Sequence, residues 1–201
     1  MATTGTGAQG SPPTGSGQLP VSALAFARRV HLGQNRKQTH DQYVEHPIAV
    51  AEVAAAESRE SRDDGVLLAA AYLHDVVEKT AVTHEEISQR FGPEVGEIVA
   101  ALSDDPAIES YAERKRELRG RALASGHRAA LIYAADRIAN VRDWLSVAPD
   151  RRAEVAESLG TSLDERLELW DEDLDAISST PMELSFLAEL ELGLRELRAS
   201  A

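Results

Sequence analysis

The chain contains no cysteine, which removes disulfides, thiolate metal sites and a cysteine nucleophile at once. Any metal must be held by His, Asp and Glu. Basic residues are also in short supply: 21 Lys and Arg stand against 34 Asp and Glu, a formal charge of −13 at pH 7. The mean field of such a surface repels polyanions, so nucleic-acid binding over a broad face is not expected. No apolar run is long and charge-free enough to span a bilayer, and the first residues lack the basic segment and apolar stretch of a signal peptide. These absences read as a soluble, cytoplasmic protein. Alternation of apolar and polar residues at period two is nearly missing too, which argues against a sheet.

What is present is helical. Ala, Leu, Glu and Arg dominate, and apolar residues recur at spacings of three and four. The fold class is all-α, a single irregular bundle of about eight helices. Residues 1–19, rich in Gly, Ser, Thr and Pro, offer little to bury and read as a disordered tail ahead of one domain over 20–201. Helices are expected over 21–32, from Pro47 to about Glu57, through "VLLAAAYLHDVVEKT" (66–80), and from a Thr83/Glu86 capping box to Gly92. Others run from Pro93 to near Ser103, over 107–123, through "HRAALIYAADRIANVRDWL" from His127, and from Ser162 to about Ile177. A last one is expected to open at Thr180 with Pro181 at its first position.

Charge in apolar helices marks the candidate site. In 66–80, His74, Asp75 and Glu78 fall within one turn of an otherwise apolar segment. The second buried helix places Asp136 in "LIYAADRIANV" with Asn140 one turn on, and His46 precedes the proline of an apolar helix. An unpaired imidazole or carboxylate in a core costs several kcal/mol, so such groups are paired or bound to metal. Two His and two Asp from three segments make a mixed N/O set suited to Mn, Fe or Zn. The alternative is an all-α interaction protein whose buried charges pair with one another, Asp136 with Arg137 or Arg142, for example. Metal analysis separates the two.

With H, then HD, then D in that order on helices, the chain resembles the HD-domain metal-dependent phosphohydrolases. The stretches "AFARRVHLGQNRKQTHDQYVEHPIAVAEV", "AAYLHDVVEKTAVTHEEISQRFGPEVGEIVAALSDDP" and "LIYAADRIANVRDW" are similar to the hydrolase domain of the RelA/SpoT alarmone enzymes, over roughly residues 22–145. With no synthetase domain following, "SDDP" and "ERKREL" resemble the short, stand-alone branch typified by the metazoan SpoT homologue. The resemblance implies a Mn²⁺ site, or one for another divalent metal, made by His46, His74, Asp75 and Asp136. It also implies removal of the 3′-diphosphate of guanosine tetra- or pentaphosphate to give pyrophosphate and GDP or GTP. Glu78 would orient or deprotonate the water. Arg36 and Lys37 match the pair that lies over the guanine base, Asn140 a nucleotide contact, and Lys115, in "ERKRELRGR", a residue near the phosphates. Arg166 and Trp170 would border the nucleotide. The loop from Arg36 to His46 differs in length from many family members.

One departure matters. Active members read Glu-Asp where this chain has Glu78-Lys79, a charge reversal beside the metal site. Lys79 either points at the substrate and shifts specificity, towards an adenosine alarmone or another 3′-phosphorylated nucleotide, or slows hydrolysis until a nucleotide-binding module remains. A working hydrolase, with Glu78 and Lys79 as its catalytic pair, is the expectation, because a decayed enzyme need not keep buried charge that is costly without metal.

Overall fold

The computed structural model describes residues 17–57 and 64–200. Strong helix formers give helices throughout: α1 (Gln18–Val30), α2 (Glu45–Glu57), α3 (Gly65–Leu73), α4 (Val76–Lys79), α5 (His84–Phe91), α6 (Pro93–Ala101), α7 (Tyr111–Ala124), α8 (His127–Ser146), a 3₁₀ turn (Pro149–Arg151), α9 (Arg152–Ser158), α10 (Leu163–Ser178) and α11 (Leu187–Ala199). Among the described residues there is no strand, only an isolated bridge between Asn35 and Gln42. No helix there is long and apolar enough to cross a membrane. The all-α class is as expected, but the described residues hold ten helices of seven residues or more, plus the single turn α4, rather than about eight. Most of the expected tail, residues 1–16, lies outside the described residues, as do residues 58–63; α1 begins at Gln18, ahead of Pro20.

Two helices organise the core. α3 is buried on nearly every side through Leu67, Ala69, Ala70, Ala71 and Leu73, and α1, α2 and α6 pack against it. α8 joins the halves of the molecule, packing on α2, α7 and α11. Its Ala129, Ala130, Ala134, Ala135 and Ala139 let neighbours approach closely, while Leu131, Ile132, Ile138 and Val141 fill the space between them. Fully buried Trp144, near the end of α8, meets Trp170 of α10 edge-on at 5.9 Å between ring centroids. α8 ends at Ser146, where Val147 turns extended (ψ 130°), and Ala148, kept out of the helical region by Pro149, follows at ψ 133°.

Three boundaries differ from expectation, each because a side chain competes with the local helix signal. The expected helix 66–80 breaks at His74–Asp75, where the His74 ring, through Nδ1, takes the Ala71 carbonyl at 2.8 Å. That carbonyl would accept the Asp75 N–H in an unbroken helix. The helix expected from 107 starts at Tyr111, because Arg114 holds the carbonyls of Ile108 and Glu109 (2.8 and 3.3 Å) and Ser110 takes the cap by accepting the Glu113 N–H. The helix expected from Thr180 begins only at Leu187. Thr180 instead finishes α10, its hydroxyl donating to the Ile177 carbonyl at 2.7 Å, and the Ser185 N–H donates to Glu57 Oε2 at 2.8 Å. Met182 and Leu184 are laid against the core.

Gly193 of α11 faces α8 so closely that a Cβ would stand 2.6 Å from Cγ1 of the fully buried Val141. Gly→Ala inside a helix ordinarily gains about 1 kcal/mol. Here Gly193→Ala is expected to cost a net 1–3 kcal/mol, roughly, through overpacking against a stiff β-branched neighbour, read as a lower urea midpoint.

Asp64 caps α3 by accepting the Leu67 N–H at 3.0 Å and receives Arg128 Nε at 2.6 Å. Burial works to raise its pKa, but these bonds leave it below the ordinary carboxylate value. The resulting stability is present above the unfolded-state pKa near 4 and is lost as pH falls through the lowered native value. Asp64→Asn keeps a capping oxygen without the charge, so its deficit in urea unfolding at pH 7 is expected to vanish as pH is lowered through that window. Asp64→Ala, which also loses the cap, retains about 1 kcal/mol of deficit.

Candidate active site

Three segments bring charged side chains to one place. The chain between α1 and α2 folds back on itself through the Asn35–Gln42 bridge, with Tyr43 N–H donating to the Gln34 carbonyl at 2.9 Å, and delivers His46 in the first turn of α2 beside Pro47. The break between α3 and α4 supplies His74 and Asp75. α8 supplies Asp136, then Asn140 and Asp143, on one face at spacings of four and three.

The buried centre is compact. His46 Nε2 lies 2.9 Å from Asp136 Oδ1 and 3.9 Å from Asp75 Oδ2. His74 Nε2 lies 3.7 Å from Asp75 Oδ1 and 3.8 Å from Asp136 Oδ1. One donor atom each from His46, His74 and Asp136 falls within 4.8 Å of the others. His74 Nδ1–H donates to the Ala71 carbonyl, which fixes the tautomer and turns the Nε2 lone pair towards the carboxylates; that nitrogen is buried with no hydrogen-bond partner. A buried, unpartnered imidazole nitrogen beside two carboxylates is the arrangement that a divalent cation satisfies, and its N and O donors fit the harder divalent metals. His46, His74 and Asp136 therefore form a group fit to hold one, with Asp75 against both histidines.

The ionisation states follow from the packing. Burial would raise the pKa of Asp136, but the His46 hydrogen bond and the Arg137 guanidinium hold it well below the carboxylate range. Burial is likewise opposed at Asp75, where His74, Lys79, His46 and the Tyr43 hydroxyl together hold the carboxyl ionised. Burial pulls the His46 pKa down despite Asp136, whereas at His74 the charges of Asp75 and Asp136 outweigh burial and raise it. Glu78 goes the other way, raised first by burial and then by the charge of Asp75. Its Oε1 accepts the Asp104 N–H at 2.7 Å, and its Oε2 faces Lys79 Nζ at 3.3 Å.

These groups floor a cavity of about 660 Å³ that all the residues singled out in the sequence border. Arg36 is buried, donating to Asn140 Oδ1 at 2.8 Å and pairing with Asp143 Oδ2 at 2.9 Å. Asn140 in turn donates to Asp136 Oδ1 at 2.7 Å. Lys37 Nζ donates to the Ser158 carbonyl, and Lys115 Nζ to both oxygens of Asp104 at 2.9 and 2.7 Å. The Arg166 guanidinium sits among the rings of Trp144, Trp170 and Tyr111 at 5.1, 5.6 and 5.7 Å.

Sequence reasoning missed several participants. Tyr43 reads as packing, yet its hydroxyl donates to Asp75 Oδ2 at 2.5 Å and its ring stacks on His31. Its place three residues before His46 was the available signal. Arg137, weighed as a mere partner of Asp136 (3.3 Å), also reaches Asp173 at 3.0 Å and borders the cavity. Asp173 is buried under Tyr133 and Arg119 (2.6 and 2.9 Å), hidden in the acidic run "DEDLD", which looks solvated. Arg142, the other candidate partner for Asp136, pairs with Glu189 instead.

Comparison with known proteins is consistent with this geometry. An HD-domain family model matches residues 23–162. The guanosine-3′,5′-bis(diphosphate) 3′-pyrophosphohydrolase MESH1 of Drosophila melanogaster is 40% identical over 124 residues, 61% of this chain and 68% of that protein. The bifunctional (p)ppGpp synthase/hydrolase SpoT of Escherichia coli K12 is 36% identical over 140 residues, 67% of this chain but 19% of that one. A solved structure described as a metazoan ortholog of SpoT that hydrolyses ppGpp superposes with a TM-score of 0.68 at 30% identity, covering 94% of this chain and 97% of that one. The ordered H, HD and D residues converging from α2, the α3–α4 break and the middle of α8, the all-helical frame and these relatives together make the chain a member of the HD-domain family, in its branch of RelA/SpoT-type alarmone hydrolases.

Proposed function

We propose that the protein is a metal-dependent 3′-pyrophosphohydrolase of guanosine tetraphosphate and pentaphosphate, with Mn²⁺ held by His46, His74, Asp75 and Asp136. The observation that carries the reading is the buried, unpartnered His74 Nε2 among ionised carboxylates at the floor of a nucleotide-sized cavity. When bound, the cation lowers the pKa of a water and stabilises charge on a phosphoryl oxygen. The relatives' activity supports the substrate, and the cationic wall of the cavity suits its phosphates.

The chain's own residues do the rest. Asn140, anchored by Arg36, and Arg137 hold Asp136 from one side while the Tyr43 hydroxyl holds Asp75 from the other. Glu78, fixed by the Asp104 N–H and raised in pKa by burial, is placed to orient the attacking water and accept its proton. The water oxygen bonds to the phosphorus carried on O3′ as its proton passes to Glu78, the O3′–P bond breaks, O3′ stays on the nucleotide and takes a proton from solvent, and pyrophosphate departs. Lys115 would face the phosphates, while Arg36, Lys37, Arg166 and Trp170 would border the base, all of them lining the cavity. A nucleotide-binding module with little turnover is the second reading, favoured by one contact: Lys79 Nζ pairs with the carboxylate assigned to the water.

Manganese-dependent release of pyrophosphate from guanosine tetraphosphate is expected of the wild type and not of His74→Ala or Asp75→Ala, and chelation of the metal should abolish it. Glu78→Gln is expected to lower kcat about 10²–10⁴-fold with KM little changed. If Lys79→Asp is active where the wild type is silent on guanosine and adenosine alarmones alike, the binding-module reading holds. Independently of turnover, Mn²⁺ at about a hundredfold excess over its Kd should stabilise the fold by about 2.7 kcal/mol in thermal unfolding. Asp136→Ala should lose that shift.

A further inference from the structure

Lys79 departs from the acidic character of the centre, and its surroundings define what it is free to do. Its backbone is pinned: the N–H donates to the Asp75 carbonyl at 3.0 Å, and its own carbonyl accepts Gln34 Nε2 at 2.9 Å. Its side chain is loosely held. Nζ meets Glu78 Oε2 at 3.3 Å, and the side chain is 42% exposed where that of Glu78 is 13% exposed. An ammonium carries three donors, so one long contact leaves most of its capacity unused. The other lysines on the cavity wall are committed more tightly, Lys115 to Asp104 at 2.7 Å and Lys37 to the Ser158 carbonyl at 2.5 Å. Glu78 does not depend on Lys79 for its place, since the Asp104 N–H holds its other oxygen.

A 3′-diphosphate has an inner phosphorus, which the water attacks, and an outer phosphate one P–O–P link away. Glu78 is the more buried of the two side chains and lies on the inner side; Lys79, one residue on, lies towards solvent. We propose that Lys79 is a specificity-determining residue that exchanges Glu78 for the outer phosphate of the 3′-diphosphate, and so selects a diphosphate over a monophosphate at that position. The assignment rests on the hydrolase reading above. A compact ammonium on a flexible stem suits a mobile terminal phosphate, which asks for charge rather than for a fixed fork of donors. The exchange also leaves Glu78 unencumbered at the moment it must receive the proton of the water. Bonds made and broken are those already given, so the residue adds selection and no new chemical step.

The test compares kcat and KM of the Mn²⁺-loaded wild type, Lys79→Met and Lys79→Arg on guanosine 3′,5′-bis(diphosphate) and on guanosine 5′-diphosphate 3′-monophosphate. The wild type should prefer the bis(diphosphate), and Lys79→Met should lose about 10- to 100-fold of that preference, the scale of one hydrogen bond to a charged group. Lys79→Arg should keep most of it. An equal loss on both substrates, or an unchanged preference, overturns the proposal. If the wild type turns over neither substrate, the hydrolase reading fails first, and binding then decides the role of Lys79. Calorimetric titration with inorganic pyrophosphate and inorganic phosphate should show tighter pyrophosphate binding by the wild type and loss of that margin in Lys79→Met. The same margin in both proteins overturns the assignment.

Discussion

The structure turns on the burial of two ionised carboxylates and two imidazoles among helices that otherwise offer only alkyl groups. Removing an ion from water costs several kcal/mol even after relaxation, and Asp75 and Asp136 offset that cost through their neighbours. Each has a histidine at hand, and each also has a donor from outside the centre: the Tyr43 hydroxyl for Asp75, Asn140 and Arg137 for Asp136. Those donors are held in turn, Asn140 by Arg36 and Arg137 by Asp173. The need to keep two negative charges satisfied therefore propagates outwards through α8 and α10 and orders residues well beyond the floor of the cavity.

That ordering separates charge within a small volume. Acidic groups lie at the bottom, Lys37, Lys79 and Lys115 stand on the wall, and the whole sits on a protein of net charge −13. A cationic wall within an acidic surface draws an anion to one spot and discourages it elsewhere. The same division explains why Lys115 and Arg114 are both anchored on Asp104: cations crowded on one wall without a counter-charge would repel one another. Asp104 thus serves both sides, its carboxylate steadying the cations and its N–H steadying Glu78.

Much of this was legible in the residues, for identifiable reasons. Helical spacing and capping chemistry located α5, α8 and α10 closely, because Thr83 and Ser162 cap with their own side chains, Gly126 through its backbone, and none of the three needs a distant partner. His46, His74, Asp75 and Asp136 stood out because charge in an apolar helix is conspicuous. What stayed hidden depends on tertiary partners. Nothing near Thr180 announces that Glu57 will claim Ser185 and keep the chain from coiling. Nothing near Tyr43 announces Asp75, and Asp173 is masked by the acids around it. The break after Leu73 was missed for a related reason: a histidine ring that takes the carbonyl of its own preceding turn looks, in sequence, like any other helical residue.

The fold-back between α1 and α2 has a further consequence. Its base is closed by the Asn35–Gln42 bridge and the Tyr43 N–H to Gln34 carbonyl bond, and Gln34 is stitched to the Lys79 carbonyl. The rim of the cavity is thus tied to the turn that carries Glu78. Residues added or removed at the tip, around Gln38 to His40, where His40 already takes a left-handed φ of 65°, leave that tie intact; the same change between Gln34 and the bridge, or between the bridge and His46, would reach α4. Length variation in this loop therefore costs the rim least at its tip.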